Sequence, residues 1–256
     1  ILESKSRPSF LNEYSLEQCL SKITVIAHDL TTISKELLSD YDFDTVIHCA
    51  GSTSLLHTTE SKNKVHTQNY LVTKNLLEQL PNRVDRFIYI STAYSFGIQT
   101  EKVNDQIGQY DVTNFRNPYE RSKYESELFV RETCQSKNIT AQILRPSIIC
   151  GRLIDAPFFE TPKFDVFYSW AIFLDKYAKK SKENFRIWID QKSGLNIVPV
   201  DFVSKAVLYA FLNPDIHELN IVNPKQILHK DYVGEVLESF EIKQYEYINE
   251  MPEELT

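Results

Sequence analysis

Residues 86–97 read Arg86-Phe-Ile-Tyr-Ile-Ser-Thr-Ala-Tyr-Ser-Phe-Gly97. An unbroken apolar run leads into hydroxyl side chains and then a glycine turn. A run of that length with no polar alternation reads as a strand buried on both faces. Ile23–Ala27, Thr45–Cys49 and Ala141–Leu144 have the same texture. Longer segments with helical spacing lie between them, at Ser9–Leu20, Ile33–Leu38, Thr58–Leu80 and Pro118–Ser136. Strands alternating with helices imply βαβ units, right-handed crossovers and a parallel sheet covered on both sides. The expected fold class is therefore α/β, a doubly wound parallel sheet.

After about residue 150 the texture changes. Residues 158–180 are rich in aromatics, which read as core or a lid, or as the wall of an apolar pocket. A strand is expected at Phe185–Ile189 and a strand-like stretch at Leu195–Pro199. A helix follows from about Asp201 to Leu212, with Asp201 as its N-cap. A strand at Glu218–Val222 and a helix at His229–Phe240 complete the chain. The expected division is 1–150 as a nucleotide-binding layer and 151–256 as a smaller C-terminal substrate lobe, with 195–222 returning to the first layer.

The 256 residues are enough to bury a large core. A net charge of -7 argues against a nucleic-acid binder, which needs a basic face to displace counterions. No stretch approaches the ~18 apolar residues of a membrane span. The first residues lack the pattern of a secretory signal. Four widely spaced cysteines form no CxxC pair, and neither they nor the six histidines have metal-ligand spacing. No metal is expected, and scattered thiols fit a reducing compartment such as the cytoplasm. His48, on an expected strand, reads as a packed residue.

Tyr119-Glu-Arg-Ser-Lys123 places a tyrosine and a lysine at i and i+4 of an expected helix, on one face. Tyrosine titrates near ~10 and is a poor acid–base group at neutral pH. A neighbouring ammonium favours the phenolate and is expected to lower that pKa toward useful proton transfer. Thr92 lies 27 residues upstream, at the end of the 86–90 strand. In open α/β sheets ligands bind off the carboxyl ends of strands. Thr92 and Tyr119 can then hydrogen-bond one substrate oxygen.

Together these residues resemble the extended short-chain dehydrogenase/reductase family, over almost the whole chain. Val25-Ile-Ala-His-Asp29-Leu30 is similar to the family's third strand, whose acid lies near the adenine. Val46-Ile-His-Cys-Ala-Gly51 resembles the fourth strand, whose end passes the cofactor's ribose and phosphates. Asn69 matches the asparagine of the next helix. Thr92, Tyr119 and Lys123 match the catalytic set. Leu144-Arg-Pro-Ser-Ile-Ile-Cys-Gly151 matches the segment that lines the nicotinamide. Leu195-Asn-Ile-Val-Pro-Val-Asp-Phe-Val203 and Ser91-Thr-Ala-Tyr94 resemble the thioester reductase and fatty acyl-CoA reductase branch. The resemblance implies a Rossmann-like fold and cofactor contacts at Asp29, Leu30, Cys49, Ala50, Gly51, Asn69, Pro146, Ser147 and Ile148, besides Tyr119 and Lys123.

One departure is large. The family's first strand leads into GxxGxxG, and none of the six glycines here stands at that spacing. The first strand and its glycine-rich loop are therefore expected in ~30 residues upstream of Ile1. The competing explanation is a degenerate protein that no longer binds a dinucleotide. Residues 1–7 resemble the end of the second strand and its loop. Lys5 and Arg7 there favour the 2′-phosphate of NADP(H) over NAD(H), with Glu3 pulling the other way.

The expected activity is reduction of a carbonyl or acyl thioester by hydride from NAD(P)H. The substrate would be a small molecule or a carrier-bound acyl group. A nucleotide-sugar epimerase using the same three residues is the first rival, and a non-catalytic dinucleotide-binding protein the second. Family members often pair through the helices around 58–80 and 117–137, which implies a homodimer.

Overall fold

The computed structural model describes residues 23–99, 103, 108–159, 161, 166–177 and 185–250. The expected helix at Ser9–Leu20 lies outside them. The chain divides into two units. One holds the chain up to Ser147 together with Phe202–Val222, and the other holds Ile148–Asp201 with the chain from Asn223. The segment returning to the first unit thus begins at Phe202, and 195–201 belong to the second.

The first unit starts with a short helix, α1 (Lys35–Ser39), capped by the Ser34 side chain. Strand β1 (Thr45–His48) follows, then α2 (Thr59–Val65), a π-helical stretch (His66–Leu71) and α3 (Val72–Gln79). Strand β2 (Arg86–Ile90) leads through a 3₁₀ turn (Ala93–Phe96) to α4 (Pro118–Lys137) and β3 (Thr140–Pro146). In the second unit lie β4 (Ile148–Cys150), α5 (Ser169–Tyr177), β5 (Phe185–Trp188), β6 (Gly194–Leu195) and β7 (Ile197–Pro199). Helix α6 (Val200–Leu212) begins there and leads to β8 (Glu218–Ile221) of the first unit. The second unit ends with β9 (Ile227–Leu228), α7 (His229–Ser239) and β10 (Tyr245–Ile248).

In the first unit, β1, β2, β3 and β8 form one sheet in that order, every pair parallel. Phe87, Ile88 and Tyr89 of β2 are fully buried, as a central strand with both faces covered requires. Leu76 and Leu77 of α3 and Val130 and Cys134 of α4 pack with Phe87, Tyr89 and Ile143 into one core. Each fully buried aliphatic or aromatic side chain contributes about 1.5–3 kcal/mol. In the second unit, β4 pairs β7 and β5 pairs β10 in parallel, while β6 pairs β9 antiparallel. Leu174, Ile187, Ile189, Val233 and Leu237 form its core.

Three expectations are corrected. Ile23–Ala27 is not a strand: Val25 is 68% exposed, and no described strand lies beside it. Strand-like composition needs a hydrogen-bonded neighbour, and the described sheet ends at β1. Thr58–Leu80 is not one continuous α-helix, because the π-helical stretch interrupts it around Asn69. Asp201 is not the N-cap of α6. It stands in the first turn, and its carboxylate accepts from the backbone N–H groups of Ile154 and Asp155 at 2.7 and 2.8 Å. Strands β4, β9 and β10 had no signal strong enough to be expected.

Candidate active site

Helix α4 carries the decisive spacing, and its start is tightly set. The Asn117 side chain accepts from Glu120 N at 3.0 Å, and Glu120 Oε2 accepts in return from Arg116 N at 3.0 Å. Pro118 occupies the first turn, where its missing N–H costs nothing. The helix ends at Asn138, whose φ of 56° lies in the left-handed region that asparagine tolerates. Tyr119, Lys123 and Glu127 therefore fall on successive turns of one stripe.

Thr92 sits just past the C-terminal end of β2 as the N-cap of the 3₁₀ turn, accepting from Tyr94 N at 3.3 Å. Its hydroxyl donates a long bond, 3.4 Å, to the Pro146 carbonyl. The half-buried Tyr119 phenol stands close enough to the Thr92 side chain and to Lys123 that both draw its pKa down. Lys123 is buried and donates from Nζ to the Ile90 carbonyl at 2.6 Å. Its ammonium also lies 4.2 Å from the centre of the Tyr89 ring, a cation–π contact. The structure thus brings Thr92, Tyr119 and Lys123 together at the strand ends.

The electrostatics correct one expectation. Lys123 does pull the Tyr119 pKa down, but burial outweighs it and the phenol sits above its ordinary value. The cost of burial falls on the amine too. It lowers Lys123 to about 8, against the pull of Tyr119, Glu127 and Cys49. Tyr119 is consequently a neutral hydroxyl at pH 7, a proton donor rather than a phenolate.

Asn69 is buried in the π-helical stretch. Its Oδ1 accepts from Ser52 N at 2.6 Å, while Nδ2 lies 3.1 Å from Ser52 O and 2.8 Å from Ser122 Oγ. It braces the loop after β1 against α4. Gly51 stands against it: a Cβ there would come 2.8 Å from Asn69 Oδ1. Cys49, Ala50 and Gly51 are exposed at the carboxyl end of β1. His48 is buried, with Nε2 2.9 Å from Thr73 Oγ1. Thr73 donates its own proton to Asn69 O at 2.5 Å, so His48 is the donor and Nε2 carries hydrogen. Burial, then Lys123, lowers its pKa to about 4.

Asp29 is exposed in a turn, and its Oδ1 accepts from Thr31 N and Oγ1, both at 2.8 Å, which holds its carboxyl below the usual range. Leu30 is half-buried and packs on the core. Pro146 and Ser147 are buried at the end of β3. The Ser147 Oγ has no partner among the described residues. Ile148 lies half-buried in β4 of the second unit. Lys5 and Arg7 lie outside the described residues.

A buried ion network went unread. Glu127 meets Arg145 and Arg131, and both arginines also meet Glu218. Ser91 Oγ donates to Glu127 Oε2 at 3.0 Å. The signal that could have found Glu127 is its place one turn after Lys123.

A family model described as "Male sterility protein", for NAD-binding proteins, matches residues 3–207. The chain belongs to this family. Its fold is the Rossmann-like one of the extended short-chain dehydrogenase/reductases, consistent with the family assignment. A search of curated proteins finds no match. Among solved structures, the chain is similar to UDP-Glc/GlcNAc 4-epimerase from Campylobacter jejuni. The TM-score is 0.69 and the identity 20%, over 96% of this chain and 78% of that one. It is also similar to UDP-glucuronic acid 4-epimerase from Bacillus cereus, with UDP-glucuronic acid and NAD. There the TM-score is 0.67 and the identity 19%, over 92% and 73%. RMD from Pseudomonas aeruginosa, complexed with NADPH, matches with TM-score 0.65 and 20% identity, over 91% and 82%. These likenesses concern the fold. For a family of NAD-binding proteins, the exposed end of β1, the buried ammonium and the orphaned Ser147 hydroxyl fit the nicotinamide half of a dinucleotide. No helix among the described residues is long and apolar enough to cross a membrane.

Proposed function

We propose that this chain is an NAD(P)H-dependent reductase of a carbonyl or acyl thioester, with Thr92, Tyr119 and Lys123 as its catalytic set. The observation that carries this reading is the gathering of the Thr92 hydroxyl, the Tyr119 phenol and the buried Lys123 ammonium, which is bonded to Ile90 O, at the carboxyl end of β2. When bound, a reduced nicotinamide supplies the hydride. Thr92 and Tyr119 hydrogen-bond the substrate oxygen, where negative charge develops. Tyr119, neutral at pH 7, gives its Oη proton to that oxygen. Lys123 steadies the phenolate left behind. An ammonium has three donors, and among the described residues Ile90 O takes one. The others are available to hold the cofactor's ribose.

The cofactor is NADP(H) in preference to NAD(H), on the charges of Lys5 and Arg7. The substrate is a small molecule or a carrier-bound acyl group. A nucleotide-sugar epimerase is the second reading, because solved structures of similar fold include two such enzymes. Two copies of the chain pair through the helical segments around 58–80 and 117–137, beside a groove of about 420 Å³ lined by His66, Tyr70, Glu125, Leu128, Phe129 and Glu132. The free thiols of Cys49, Cys134 and Cys150 suit a cytoplasmic setting.

The test is a screen of the full-length protein for NADPH oxidation against acyl-CoA, carrier-bound thioesters, aldehydes and nucleotide sugars. The reductase reading expects stoichiometric oxidation with a thioester or aldehyde. Conversion of a nucleotide sugar with no net oxidation supports the epimerase, and failure to bind either dinucleotide refutes both.

A further inference from the structure

Glu127 is fully buried, two turns beyond Tyr119 and one beyond Lys123. Its carboxylate is gripped from three elements. Arg145 of β3 approaches both of its oxygens through Nε at 3.1 Å, and Arg131 of α4 reaches Oε1 at 3.0 Å. Ser91 Oγ donates to Oε2 at 3.0 Å from the end of β2. Ser95 Oγ lies 3.2 Å from the same oxygen and 2.9 Å from Thr92 O, sharing one proton between them. Glu218 of β8 completes the network, at 2.6 Å from Arg131 and 2.7 Å from Arg145. Two carboxylates thus face two guanidiniums, and the cluster is neutral.

Two consequences meet at the candidate site. Ser91 and Ser95 bracket Thr92, so the carboxylate fixes the turn that carries its hydroxyl. Arg145 adds to this by lying 4.7 Å from the Phe96 ring, at the end of the same turn. Separately, Glu127 lies one turn beyond Lys123 on its own helix, and its charge acts on the amine. The other groups facing Lys123 are Tyr119 on α4, Tyr89 on β2, His48 on β1 and Cys49 just after it. A general fold-stabilising ion pair would need neither the serine contacts nor this place on the stripe.

We infer that Glu127 is a positioning residue for the Thr92–Tyr119–Lys123 set, clamping the Thr92 turn through Ser91 and Ser95 from a place one turn beyond Lys123 on the same helix. The inference rests on the reductase reading for its kinetic arm only. Glu127→Gln leaves the network with a surplus positive charge beside Lys123. The amine then gives up its proton at lower pH, and the alkaline fall in kcat moves the same way. Burial of unpaired charge is costly, so a second variant keeps the charges intact: Ser91→Ala with Ser95→Ala frees the turn alone.

The experiment uses the full-length protein and two readouts. The Lys123 Nζ titration is followed by nitrogen-15 NMR, assigned with Lys123→Met, and needs no turnover. The kcat, KM and pH profile are followed by NADPH oxidation. For Glu127→Gln the expected results are a lower titration midpoint, a displaced alkaline limb and a kcat reduced by about 100-fold with a cofactor KM nearly unchanged. For the serine double variant kcat falls while the midpoint stays, and amide exchange at Thr92–Phe96 quickens. A folded Glu127→Gln protein with an unmoved midpoint overturns the inference. So does a serine double variant with wild-type exchange at Thr92–Phe96. A wild type that oxidises no NADPH with any substrate defeats the reductase reading alone, and the titration and exchange arms still decide the role of Glu127.

Discussion

The Lys123 Nζ donates a 2.6 Å hydrogen bond to the carbonyl of Ile90, the last residue of β2. That bond locks the helix stripe of Tyr119 and Lys123 to the strand end from which Thr92 projects. It also holds a cation where little solvent reaches it.

The cation's burial predicts a stability cost. Lys123 titrates at about 8 in the folded protein against 10.5 unfolded. Between those values the unfolded chain binds more protons, so stability rises with pH through that window. Below about pH 8 the amine is charged in both states and the whole penalty is present. Lys123→Met should therefore raise Tm at pH 7, by about 2–4 °C for each kcal/mol regained, while abolishing activity. Calorimetry of both proteins without cofactor checks this; a lower Tm for the variant would contradict the buried-charge account.

His48 gives an acid-side prediction. Its folded pKa of about 4 lies below the ordinary 6.5. Between those two values the unfolded state binds more protons, so stability falls as the pH drops from 6.5 toward 4. The loss is on the order of 3 kcal/mol at most. Urea unfolding at pH 7 and pH 5 should show about 2 kcal/mol of this loss in the wild type and a smaller one in His48→Gln. Equal losses would mean that other groups dominate.

The wall behind the site predicts intolerance at Gly51. A Cβ there meets Asn69 Oδ1 at 2.8 Å, and that oxygen holds Ser52 N. Gly51→Ala should weaken cofactor affinity about tenfold or more, a displacement effect of the kind that small misplacements produce. Fluorescence titration with NADPH and NADH measures it. Unchanged affinity for both would show that the β1 end does not line the cofactor.

The core supplies a control. Leu77 of α3 is fully buried in the cluster under β2. Leu77→Ala should cost about 2–5 kcal/mol, measured by urea unfolding, with kcat per folded molecule little changed.

How much of this was legible beforehand differs by residue. Tyr119, Lys123 and Thr92 were readable because an i, i+4 pair and a strand-end hydroxyl are local patterns. The central strands were readable because Arg86–Ile90 is apolar throughout. Ile23–Ala27 has equal strand-like composition, yet pairing depends on a neighbour that composition does not name. The direction of the Tyr119 shift was misread because spacing reveals the lysine's charge but not the depth of burial that outweighs it. Glu127 was passed over because its partner Arg145 is 18 residues away, and Arg131 and Glu218 are 87 apart. Only the folded sheet brings them to one point.

The most direct trial of the proposed chemistry is Tyr119→Phe in the full-length protein, with cofactor binding and substrate-dependent NADPH oxidation measured side by side. Removing a positioned proton donor should lower turnover by about 100-fold or more, with cofactor affinity preserved. Turnover equal to that of the wild type would contradict the assignment of Tyr119 as the proton donor.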